Sequence, residues 1–172
     1  MKELRISGIE PESIVDGPGI RYTVFVQGCP HHCEGCHNPK THDFDGGHTI
    51  DIEKILAEIK KNPLLSGVTF SGGEPFCQPE ALCELGKEIK KMGLNLVCYS
   101  GYTFEELLAL GVKQPAVLDL LRITDILVDG KFILAEKSLM LKFRGSKNQR
   151  IIDVPFSLEK GEAILLNELY EK

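Results

Sequence analysis

A repeated alternation constrains this chain more than any other feature. Short apolar, β-branched runs are each followed by a cluster of Gly, Cys, Ser or Asp, and most then lead into a segment of helical period. The first run, Arg21 to Gln27 (RYTVFVQ), is almost continuously apolar, which suits a strand buried on both faces. A cysteine-rich loop follows, after which Ile52, Ile55, Leu56 and Ile59 repeat at helical spacing and stop before Pro63. The second run, Val68 to Phe70, leads into SGGEP; Pro79 then opens a helix with Leu82, Leu85 and Ile89 inward and Gly93 just past its end. The third, Leu94 to Tyr99, leads into Ser100-Gly101-Tyr102, and Thr103 with Glu106 predicts a capping box on the next helix. Gly111 is expected to end that helix and Pro115 to start a short one through Leu121. The fourth run, Ile126 to Val128, leads into Asp129-Gly130-Lys131. A weak helix over 133–141, a fifth strand over Ile151 to Val154 and an amphipathic C-terminal helix complete the pattern.

Strands and helices that alternate in this way build a mostly parallel sheet from βα units. Five or six units in 172 residues fall short of an eight-stranded barrel, which needs about 250. The expected fold is therefore α/β, a partial barrel of about five or six units. The whole chain, 1–172, reads as one domain, with no internal repeat or low-complexity tract and with Gly46-Gly47 too short to act as a linker. Ligands of such sheets sit at the carboxyl ends of the strands. The cysteines, SGGE, SGY and DGK all fall there, so a single site built from successive loops is the economical expectation.

With 42% apolar and 26% charged residues the composition is that of a globular protein. A net charge of −5 offers no basic footprint for nucleic acid. The N-terminal MKELRISGIEPESIVDG lacks the apolar core of a signal peptide, and no apolar run approaches the ~18 residues of a membrane span. The expected location is the cytoplasm, where six cysteines are metal ligands or buried thiols before they are disulfides.

Three of the six, Cys29, Cys33 and Cys36, lie within QGCPHHCEGCHNP. A structural zinc takes four protein ligands, and a fully ligated [4Fe–4S] cluster takes four cysteines. A cluster held by three keeps one iron open. Other readings compete. Cys33-Glu34-Gly35-Cys36-His37 has the letters of a c-type haem attachment site, which would require export. A redox dithiol would leave Cys29 unexplained. Zinc would have to recruit His31, His32, His37 or His42 as its fourth ligand. By itself SGGEP is an ordinary strand-to-helix turn. His31, His32 and His48 read as solvated loop residues, Cys83 and Cys98 as buried thiols, and Cys77 as a thiol nearer the site.

Taken together, C-x3-C-x2-C after one strand and SGGEP after the next resemble the radical S-adenosylmethionine (SAM) superfamily. Val15-Asp16-Gly17-Pro18-Gly19-Ile20-Arg21, with QGC and CHNP around the cysteines, resembles its glycyl-radical enzyme activases. DILVDGKF (Asp125 to Phe132), FRGSKNQR (Phe143 to Arg150), Gly35 and the short chain are similar to the activases of anaerobic ribonucleoside-triphosphate reductase. The resemblance implies a [4Fe–4S] cluster on Cys29, Cys33 and Cys36, with SAM on its open iron. It further implies reductive cleavage of SAM to a 5′-deoxyadenosyl radical, which takes a glycine Cα hydrogen from the large subunit of the reductase. A flavodoxin or ferredoxin would supply the electron. No residue would serve as a general acid or base. The residues implied at SAM are Gly35, Cys36, His37, Gly72, Gly73, Glu74, Asp129, Lys131 and Arg144, with Glu74 accepting from the SAM ammonium and Arg144 near its methionyl end. An activase of the pyruvate formate-lyase type and a non-catalytic zinc-binding adaptor stand as alternatives.

Overall fold

Two regions to which the sequence pattern assigns no element, Glu3–Ser13 and His48–Asp51, are strands. In the computed structural model, which describes residues 2–170, they are β1 and β3 of seven strands. The others are β2 (Arg21–Val26), β4 (Gly67–Gly72), β5 (Asn95–Tyr99), β6 (Ile126–Asp129) and β7 (Arg150–Asp153). The helices are α1 (Ile52–Lys60), α2 (Pro79–Lys91), α3 (Phe104–Lys113), α4 (Pro115–Ile123) and α5 (Val154–Lys160).

All seven strands join one sheet in the order β3-β1-β2-β4-β5-β6-β7. The run β2-β4-β5-β6 is parallel, while β1, β3 and β7 pair antiparallel to their neighbours. The α/β class holds; among the described residues the sheet is not closed, with β3 and β7 at its edges, and four parallel strands stand where five or six βα units were expected. Its last strand returns beside β6 without a crossover helix, which makes β7 antiparallel and ends the βα progression.

The main core lies between the sheet and the helices. Tyr22, Val24 and Val26 of β2 alternate toward it, as do Val68 and Phe70 of β4, and meet Ile55 and Ile59 of α1 and Leu82, Leu85 and Ile89 of α2. On the other face, Val97, Ile126, Val128 and Ile151 form a smaller cluster covered by Leu166, Leu169 and Tyr170. The capping box is present in full: Thr103 Oγ1 accepts from Glu106 N at 3.1 Å and Glu106 Oε1 from Thr103 N at 2.9 Å.

Four further expectations are corrected. Gly111 does not end α3; a Cβ there would stand 2.9 Å from that of Leu118, so the glycine lets α3 and α4 approach closely. The weak helix over 133–141 is a single 3-10 turn, Leu134–Glu136, after which the chain runs out and back through a Lys137–Ser146 bridge. The fifth strand stops at Asp153, and the C-terminal helix is confined to α5, which ends at the left-handed Gly161; Glu171 and Lys172 lie outside the described residues.

Arg21, at the start of β2, is fully buried on the face away from the helices. Its Nε donates to Thr69 Oγ1 at 2.7 Å, Nη1 to Pro18 O at 2.8 Å, and Nη2 to Val68 O and Asn95 O, both at 3.0 Å. Thr69 Oγ1 passes the contact on to Asp16 O at 2.8 Å. Burial lowers the guanidinium to about 10, still a cation at neutral pH. One side chain thus ties β2, β4 and β5 to the Asp16–Gly19 turn. Arg21→Leu leaves these carbonyls buried without a donor and is expected to cost about 3 kcal/mol of stability. The denaturant midpoint of the apo-protein measures it; an unchanged midpoint would refute this role.

Candidate functional site

The loops after β2, β4, β5 and β6 open on one cavity of about 350 Å³. Cys29, Cys33 and Cys36 line it together with Gly72 and Gly73 from the end of β4, and Ser100 and Gly130 from the ends of β5 and β6. The loops expected to share one site at the carboxyl ends of the strands thus open on a common cavity.

Backbone contacts hold the cysteine loop in place. Gly28 N donates to Thr41 O at 2.7 Å and Cys29 N to His42 O at 3.2 Å, which close the loop, and Cys36 N donates to Cys33 O at 3.1 Å. The end of β4 lies against the start of this loop, with Gly73 N donating to Val26 O at 2.9 Å and Glu74 N to Gly28 O at 2.8 Å. A Cβ at Gly72 would come within 2.6 Å of Val26 N, and one at Gly73 within 2.4 Å of Gly28 O. Gly72 also has a φ of +99°, which disfavours any side chain. The glycine pair is required by the approach of two backbones as well as offering bare backbone to a ligand.

Glu74 has no solvent exposure and does not line the cavity. Its carboxylate accepts from Phe76 N at 3.0 Å, Gly101 N at 2.8 Å, Ser100 Oγ at 2.9 Å and His31 Nε2 at 2.7 Å. Both oxygens are engaged within the protein, and the cysteine loop, the SGGEP loop and the SGY loop meet on them. His31 is thereby corrected from a solvated residue: its side chain is only 6% exposed and packs edge-on to Tyr102 at 4.6 Å between ring centroids. Sequence reasoning missed this histidine because nothing in PHHC distinguishes it from His32, which is exposed.

The other candidate residues divide between the cavity and its surroundings. His37 lines the cavity, its ring 5.3 Å from that of Phe132. Gly35 and Lys131 are exposed and are not part of the lining. Asp129 is buried beneath the cavity, accepting from Phe104 N at 2.7 Å and from Arg150 Nε at 3.0 Å. Arg144 lines an adjoining cavity, donates to Gln149 O at 3.1 Å and stacks over Tyr170. Cys83 and Cys98 are buried, and burial pushes the Cys98 thiol up to about 12. Cys77 is exposed and outside the cavity lining.

The donor set fits an iron–sulfur cluster. Of the six cysteines only these three line the cavity, and thiolates are the donors such a cluster takes. Among the described residues no group of three or more His, Cys, Asp or Glu side chains is placed to hold a metal ion. Burial, with Glu74 and Cys33 nearby, raises the Cys29 thiol above its ordinary range; a bound cation acts in the opposite sense and favours the thiolate.

A family model described as a 4Fe-4S single cluster domain matches residues 15–152, which include every loop of the cavity. The anaerobic ribonucleoside-triphosphate reductase-activating protein of Vibrio cholerae is 38% identical over 149 residues, covering 82% of this chain and 92% of that protein. The chain belongs to the anaerobic ribonucleoside-triphosphate reductase-activating protein family. Outside that family, the pyruvate formate-lyase-activating enzyme of Clostridium pasteurianum is 42% identical over 113 residues, which are 60% of this chain and 48% of that enzyme. Among solved structures, QueE from Escherichia coli aligns with a TM-score of 0.47 at 19% identity, over 59% of this chain and 54% of that one, an overlap too partial to argue from.

For this member of the activating-protein family the geometry makes Glu74 a structural tie between loops. Glu74→Gln replaces one acceptor oxygen by a donor among four donors and is expected to lower the stability of the apo-protein by about 2 kcal/mol. A Glu74 that served only as a cofactor contact would leave the apo-protein's denaturant midpoint where it is, with all the loss appearing in cofactor affinity.

Proposed function

We propose that this chain is an iron–sulfur, SAM-dependent activase that installs a glycyl radical on an anaerobic ribonucleoside-triphosphate reductase. The observation that carries the proposal is a cavity flanked by three cysteines and no fourth, in a chain that shares 38% identity with an activating protein of that reductase over 92% of its length. When bound, the cluster and SAM would supply one-electron reductive cleavage of the sulfonium and, from it, the radical chemistry that removes a hydrogen atom from a glycine Cα of the partner.

The chain's own residues position and enclose. Cys29, Cys33 and Cys36 hold the cluster. Gly72 and Gly73 present backbone to SAM on the cavity wall, and His37 with Phe132 forms an aromatic flank. Glu74 and Asp129 act from beneath, fixing the SGY loop and the end of β6. Arg144, whose buried Nε lacks a hydrogen-bond partner, is the cation proposed for a carboxylate at the adjoining cavity. Gly35 and Lys131 would bear on the cofactor only through loop conformation. The electron comes from a small redox protein, a flavodoxin or ferredoxin. No described helix is long and apolar enough to cross a membrane, and free thiols at a cluster site suit the reducing cytoplasm.

The pyruvate formate-lyase alternative draws on a relative of which this chain covers only 48%, so the reductase is the better-supported target. Electron paramagnetic resonance on an anaerobic mixture of reconstituted chain, reductase, SAM and reductant is expected to show a glycyl radical, which Cys33→Ala abolishes. Stoichiometric zinc without iron or sulfide after anaerobic purification would contradict the proposal.

A further inference from the structure

The segment 131–147 has a charge and an exposure unlike the rest of the chain. It carries Lys131, Lys137, Lys142, Arg144 and Lys147 against one acid, Glu136, a net +4 in a chain whose total is −5. Among the described residues Lys137, Lys142 and Lys147 form no ion pair. At its tip Leu139 and Met140 are 87% and 89% exposed, and across the groove Ile14 and Val15 are 72% and 69% exposed. Large apolar side chains gathered at one place and rimmed by cations have the composition of an interface rather than of an ordinary surface.

This tip is a built feature. The Lys137–Ser146 bridge closes its base, and Lys147 N donates to Glu136 O at 3.0 Å. Tyr99 hydroxyl donates to Phe143 O at 2.7 Å, holding Phe143 at a φ of +63°, a conformation a bulky residue adopts only under tertiary constraint. Between the tip and the Ile14–Asp16 turn lies a cavity of about 470 Å³, and Asp16, His37, Tyr99 and Gly145 line both it and the cysteine cavity. An occupant seated on the tip therefore reaches the cysteine site without crossing the sheet.

We propose that the segment 137–147 is the docking lip for the glycine-bearing reductase, and that it takes an acidic surface of that partner carrying apolar side chains. The inference rests on the activase reading and adds the place and the chemistry of recognition. The cations select the charge of the partner, Leu139 and Met140 supply the apolar contact, and the groove leads the bound segment to the cysteine cavity. The one carboxylate on the opposite wall, Asp16, already accepts from Ser13 Oγ at 2.5 Å.

Two double variants test it, Leu139→Ser with Met140→Ser, and Lys142→Glu with Lys147→Glu. Affinity for the anaerobic ribonucleoside-triphosphate reductase of the same organism is measured at low and high salt, and partner-free reductive cleavage of SAM is measured on the same samples. Each variant is expected to bind at least about tenfold more weakly at low salt, the charge reversal also losing most of the salt dependence, while SAM cleavage stays at the wild-type rate. Wild-type affinity in both variants, with SAM cleavage intact, would overturn the docking lip. So would a change confined to the sedimentation of the activase alone, which would make the lip an interface between copies of this chain. Wild-type protein that fails to cleave SAM yet binds the reductase through the lip would instead sink the activase reading.

Discussion

The Glu74 carboxylate accepts hydrogen bonds from the cysteine loop through His31, from its own loop through Phe76, and from the loop after β5 through Ser100 and Gly101. An unsatisfied carboxylate at zero exposure would be very costly, so the three loops must arrive together for the charge to be buried. The backbone approach of Gly72 and Gly73 to Val26 and Gly28 imposes the same condition from the other side. The contacts that complete this end of the sheet are therefore the same ones that position the cysteine loop.

Arg21 plays the complementary part nearer the amino ends of the strands. With five N–H donors and no carboxylate in direct contact, it satisfies carbonyls of β4 and β5 and of the Asp16–Gly19 turn. That turn lies beneath both cavities, so a residue far from the cysteines helps set the floor of the groove. The turn feeds β2 and, through Asp16, lines both cavities.

Much of the site was legible because its chemistry is local in sequence. Cys29, Cys33 and Cys36 sit on one loop, and strands β2, β4, β5 and β6 announce themselves as continuous apolar runs because both their faces are covered. The edge of the sheet was not. β1 carries exposed charges and Pro11, with register shifts at Ile6/Gly8 and Glu10/Ser13 that break its alternation, and β3 is a short, largely exposed strand. The stretch 133–141 resembled a weak helix because its apolar residues suggest burial, whereas Leu139 and Met140 stand exposed at the lip. The burial of His31 depends on Glu74, forty-three positions away, and no local pattern carries that information. The count of βα units came out too high for a topological reason, since nothing in Arg150–Asp153 says that the strand returns antiparallel.

The central claim is that three thiolates hold a cluster whose remaining iron is left for SAM. It is tested most directly on the anaerobically reconstituted, reduced protein by electron-nuclear double resonance with SAM labelled at its amino nitrogen and carboxylate oxygen. Iron and sulfide in [4Fe–4S] proportion are expected, with hyperfine coupling of both labels to the cluster. A cluster that shows no coupling to either label, or one ligated by a fourth protein side chain in the presence of SAM, would contradict it.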